Sequence, residues 1–166
     1  KGVNASAPQP DNQTRTYPLA ITVEDKIYPS FAVEMLRVSR GQKSYIVKTS
    51  EIGIQEVAVK GVDPIVTQPD GTAYIRFNNS FETIEYTGAD SIPDLAGKMV
   101  IVGVTAEGIA NPVPTPRGNL YPQEIQAHML QNFIDGSNIT RSQLSAITEL
   151  LIGLLTMVLV ALAVYR

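Results

Sequence analysis

The chain has 166 residues, 44% of them hydrophobic and 17% charged, with a formal net charge of −3; that is enough apolar material for one globular core. Its lysines and arginines are scattered and form no basic stripe, which argues against nucleic-acid binding. Cysteine is absent, which removes disulfides, thiolate nucleophiles and cysteine metal sites and fits any compartment, including an oxidising one.

The opening stretch KGVNASAPQPDNQTR has prolines, asparagines and small polar residues without an apolar period, and reads as a loop or linker. Leu19, Ile21 and Val23 then alternate with smaller or polar residues, as on a half-buried strand, and Glu24-Asp25-Lys26 is a turn. Pro29-Ser30 starts a helix with Ser30 as N-cap. Phe31, Met35 and Val38 fall at helical spacing beside Ala32 and Leu36, and Gly41 stops the helix. SYIVK and IQEVAVKGV are short strand candidates. PDG, Pro69 to Gly71, is a turn signal, and TAYIRFNN alternates like a strand. FETIEYTGAD takes no assignment. GKMVIVGVTAEG, Gly97 to Gly108, carries a β-branched apolar run from Met99 to Val104 and reads as a fully buried strand. A proline-rich loop, NPVPTPRGNLYP, leads to a helix, QEIQAHMLQNFID, with Ile125, Met129 and Phe133 on one face and Gly136 at its end. Strands followed by a long loop and a helix indicate an α/β body, with a mixed sheet flanked by helices.

The last element, Leu144 to Tyr165, is apolar apart from Glu149. As a helix it is roughly 33 Å long, against a hydrocarbon core of ~30 Å. Tyr165 and Arg166 close it as an interfacial aromatic and a cationic stop. A transmembrane helix is therefore expected, with the C-terminus in the cytoplasm and the body outside.

The chemistry-bearing residues point to no enzyme. Gly103 and Gly108 are too far apart for a dinucleotide fingerprint, and no P-loop pattern occurs. Glu124 and His128 share a helix face and with Glu107 make a possible three-ligand metal set, but His128 is the only histidine. No nucleophile elbow is present. Catalytic residues, metal sites and cofactors are accordingly expected to be none. Arg117, in the TPRG loop between a strand and a helix, is placed to grip an anion or to pair with a carboxylate such as Glu124. The ligand-binding candidates are Arg117, Glu124, Glu107 and Thr105.

YPSFAVEMLR, the DG turn, YIRFNN, GKMVIVGVTAEG, TPRG and YPQEIQAHML occur in an order that resembles the type-two CHASE domains, extracellular sensory domains associated with cyclases and histidine kinases. The resemblance runs from Arg15 to Gly136 and on into the apolar helix. The family's helix usually begins Pro-Gly-Val-Glu. Here Pro122-Gln123-Glu124 is one residue shorter, and the position after Glu-Ile is Gln126 rather than histidine, so no role for His128 carries over.

The resemblance implies the C-terminal portion of an extracytoplasmic sensory domain over residues 1–141, with an aspartate-rich half before it, and a transmembrane helix over 142–166. It makes the VIVGVTAEG strand a core element of the sensory sheet. The expected role is input to a membrane-bound adenylate or guanylate cyclase, histidine kinase or serine/threonine kinase. The expected partners are the membrane, an unknown small-molecule or envelope ligand and a second copy in a homodimer, with no nucleic acid. The alternatives are a dimerisation or anchoring module that binds nothing and a membrane-tethered hydrolase.

Overall fold

The computed structural model describes residues 2, 9–88, 92–137, 139 and 145–165. In chain order the elements are β1 (Thr16–Pro18), β2 (Ala20–Val23), β3 (Lys26–Pro29), α1 (Phe31–Ser39), β4 (Ile46–Ser50), β5 (Gly53–Ala58), β6 (Ile65–Val66), β7 (Thr72–Tyr74), β8 (Val113–Thr115), β9 (Gly118–Leu120), α2 (Pro122–Ile134) and α3 (Ser145–Tyr165). This is the α/β architecture expected, with its strands spread over four small sheets: β1–β7, β2–β3, β4–β5–β6 and β8–β9. Their ladders are antiparallel, and one parallel bridge joins Ile54 to Asp70.

Local chemistry accounts for the best-formed elements. Glu24 and Asp25 take positive φ in the two-residue turn between β2 and β3, where acidic and amide residues tolerate the left-handed region better than most. Ser30 caps α1, its Oγ accepting from Val33 N–H at 3.4 Å. The buried face of α1 is Ala32, Val33 and Leu36. Phe31 and Val38, expected on that face, are exposed, Val38 by 62%. A nine-residue helix has room for one narrow contact stripe, and Val33 and Leu36 occupy it.

α2 starts with Pro122 in its first turn, where a missing N–H costs nothing. It ends in a Schellman motif: Ser137 N–H donates to the Asn132 carbonyl at 3.0 Å and Gly136 N–H to that of Phe133 at 3.3 Å. Gly136 takes φ +60°, which glycine adopts without strain. Ile125, Met129 and Phe133 are all buried, as the spacing predicts. They join Leu36 and Val33 of α1, Tyr17 of β1, Val57 of β5 and Ile65 of β6 in one core. Each such side chain contributes about 1.5–3 kcal/mol by leaving water.

The Met99–Val104 segment does not behave as a buried core strand. It lies outside every sheet, and Met99, Val100, Val102 and Val104 are exposed, Val102 by 91%. Only Ile101 packs against the core. The reason is pairing: a strand needs a neighbour to take up its N–H and C=O groups, and among the described residues none lies beside it. Residues 76–112 carry neither helix nor strand among those described. The proline-rich loop, by contrast, folds in part as a hairpin, β8–β9, turning at Pro116-Arg117.

α3 is 21 residues long and exposed along its described side chains. Its Ile147–Tyr165 stretch has a mean hydropathy of 2.5, long and apolar enough to cross a bilayer. Arg166, and most of the Gly136–Gln143 connection, lie outside the described residues.

Candidate functional site

The first turn of α2 gathers two of the expected residues. Tyr121 N–H donates to Glu124 Oε2 at 2.8 Å, the reciprocal half of a capping box. Tyr121 O–H donates to the Thr105 carbonyl at 3.2 Å. Thr105 and Glu124 are thus joined through Tyr121, and both contacts are structural: one holds the helix start, the other ties the Met99–Thr105 segment to it. Gly103 completes that tie. A Cβ there would lie 2.3 Å from Cδ of Gln123, so the glycine answers to close approach to a helix side chain rather than to a phosphate. Glu107 stands apart, exposed in the turn that follows.

Arg117 sits at the hairpin tip. Thr115 Oγ1 donates to the Gly118 carbonyl at 2.6 Å and accepts from Arg117 N–H at 3.3 Å, which fixes the turn. The guanidinium donates to the carbonyl of Asn79. The pairing of Arg117 with Glu124 does not occur: the ion pairs among the described residues are Arg15–Asp11, Arg37–Glu34 and Lys48–Glu56. Glu124 is committed to its helix start and the Arg117 guanidinium to the Asn79 carbonyl.

Both charges act on His128. It is buried in α2, and the rings of Phe77 and Phe81 meet it edge-on at 5.2 and 4.9 Å. Burial, reinforced by the Arg117 charge and opposed by Glu124, holds its pKa below the usual histidine range. Its Nδ1 has no hydrogen-bond partner among the described residues. A neutral imidazole clasped by two aromatic rings is a packing residue. Among the described residues no three of His, Cys, Asp and Glu converge on a point where a metal could sit.

Three residues that sequence reasoning did not single out complete the region. Asn132, 1% exposed, clamps the backbone of Arg76. With its amide turned to satisfy both groups, Oδ1 accepts from Arg76 N–H at 2.7 Å and Nδ2 donates to the carbonyls of Arg76 and His128 at 3.1 Å. Arg76, just past β7, and Arg15, just before β1, join Arg117 in lining an open cleft of about 510 Å³ with Tyr74, Phe77 and Ile139. Arg76 falls in phase with the alternation of TAYIRFNN, on its more exposed face, so the sequence carried no separate signal for it.

The CHASE2 domain family model matches residues 2–165. The chain belongs to the CHASE2 family. It is an extracellular sensory domain family found in signalling proteins, sensory rather than catalytic. No curated protein and no solved structure matches the chain.

Proposed function

We propose that this CHASE2 chain is the extracytoplasmic input domain of a membrane-bound cyclase, histidine kinase or serine/threonine kinase. In this reading residues 1–141 lie outside the cytoplasm, 142–166 cross the bilayer, and a small-molecule ligand or the state of the envelope biases the body of a homodimer. The observation that carries it is the combination of a family match over residues 2–165 with a 21-residue exposed apolar helix at its end. A two-state body can be read by such a helix only if the ligand favours one state over the other.

Reporter fusions test the topology. A reporter active only outside the cytoplasm, fused after Gly136, and one active only in the cytoplasm, fused after Arg166, should both work. Swapped activities would reject the orientation.

A second reading is a dimerisation or anchoring module without a ligand, and one observation favours it: the unpaired apolar Met99–Val104 segment, which a second copy could cover. A ligand screen by thermal shift separates the two, because a ligand bound only by the folded state raises its apparent stability.

A further inference from the structure

We infer that the cleft bounded by Arg15, Arg76 and Arg117 is a binding site for an organic oxyanion, a carboxylate or phosphate head carried on an apolar body. It deepens the sensory reading and rests on it only for what occupancy does downstream.

The three guanidinium groups come from three separate parts of the chain: the start of β1, the end of β7 and the tip of the β8–β9 hairpin. Each is positioned. Arg15 pairs with Asp11 at 2.6 Å and donates to Gln9 Oε1 at 2.9 Å. Arg76 is set by the buried Asn132 clamp on its backbone. Arg117 is set by the Thr115 turn and the Asn79 carbonyl. Asp11 is the one carboxylate that pairs with any of them among the described residues, so of three positive charges two stay without an ionic partner.

An anion in the cleft is attracted by the two arginines, Arg76 and Arg117, that have no ionic partner among the described residues. The guanidinium fork matches the two oxygens of a carboxylate or phosphate. Tyr74, Phe77 and Ile139 supply an apolar wall, which favours an anion with a hydrocarbon body over a bare inorganic ion.

The wall also connects the site to the membrane. Ile139 forms a backbone bridge with Tyr74, and α3 begins six residues later at Ser145. Six residues span at most about 20 Å. An anion seated against Tyr74 and Ile139 would favour that bridge and so act on the segment that enters the bilayer. It could be a dissolved organic acid or an anionic lipid headgroup.

The test uses the full chain in phosphatidylcholine nanodiscs, titrated calorimetrically with sodium benzoate against sodium chloride at equal ionic strength, and then in phosphatidylglycerol nanodiscs. Saturable benzoate binding that chloride does not reproduce, weakened about tenfold or more in Arg76→Gln and Arg117→Gln, supports the site and a dissolved source. Loss of that binding in phosphatidylglycerol discs, together with a rise in thermal midpoint that both variants abolish, supports the headgroup source. Benzoate no better than chloride with no phosphatidylglycerol-dependent midpoint shift, or any response unchanged in both variants, overturns the proposal. Both arginines are exposed, so the variants fold; far-UV circular dichroism checks this. A null result leaves the sensory reading standing, because topology is measured independently.

Discussion

Phe133 stands in an amphipathic stretch of sequence and Val102 in a continuously apolar one, and the two meet opposite fates. Phe133, in α2, is fully buried against α1 and β1; Val102, in the Met99–Val104 run, is 91% exposed. The difference is not hydrophobicity but backbone pairing. A helix satisfies its own N–H and C=O groups and needs only a surface for one face. A strand must also find a neighbouring backbone. α2 buries its stripe against α1, whereas among the described residues Met99–Val104 is held by Ile101, by Gly103 against Gln123 and, just beyond it, by the Thr105 carbonyl.

The largest effect tests this contrast directly. Phe133→Ala should cost about 3–5 kcal/mol by opening a cavity in the core, and Val102→Ala should change stability by less than about 0.5 kcal/mol. Urea denaturation of the body followed by circular dichroism measures both. A Val102→Ala loss approaching that of Phe133→Ala would mean the exposed run is covered in solution.

The next effect concerns the boundary between the two regions. The Asn132 clamp on Arg76 holds the point where regular pairing ends after β7. Asn132→Ala should cost about 1–3 kcal/mol, because it leaves buried backbone groups unsatisfied. The same variant should accelerate amide exchange at residues 76–81 before it affects α1. Uniform loosening of both would show that the clamp is not a local tie.

The smallest effect is a pH dependence. The folded-state pKa of His128 lies below its ordinary value of 6.5 because of burial first and Arg117 second. The unfolded chain therefore takes up a proton that the folded chain refuses as the pH falls below about 6.5. Stability present at pH 7.5 should decline towards pH 5.5. Asp11 and Glu34, whose carboxyls are lowered by their arginine partners from 3.8 and 4.5, lose their contributions only at lower pH. Urea midpoints at pH 7.5 and 5.5 should differ in the parent and converge in His128→Gln. An equal drop in both would assign the dependence elsewhere.

What the sequence made legible follows the same division. The Ser30 cap, the β2–β3 turn and the Ile125–Met129–Phe133 stripe depend on residues a few positions apart, and the structure forms them where the pattern placed them. Val38 shows the limit even there: spacing names a face of α1 but not how much of it a neighbour covers. Met99–Val104 shows the larger limit, since composition reports a capacity for burial and not the presence of a partner. At the candidate site Arg117 was legible as a loop arginine. Arg15 and Arg76 were not, because they reach the same cleft only through the β1–β7 register, which joins Thr16 to Tyr74 across most of the body. Glu124, a ligand-binding candidate, holds the α2 start, a role its position three residues after Tyr121 signals.

The central claim is that α3 crosses the membrane and leaves the body outside the cytoplasm. Because the chain has no cysteine, single introduced thiols report on it without background. Glu51→Cys, at the exposed β4–β5 turn, and Leu155→Cys, in the middle of α3, are treated in intact cells with a membrane-impermeant maleimide. The account predicts labelling of Glu51→Cys before lysis and no labelling of Leu155→Cys until detergent is added. Labelling of Glu51→Cys only after lysis, or of Leu155→Cys in intact cells, would contradict it.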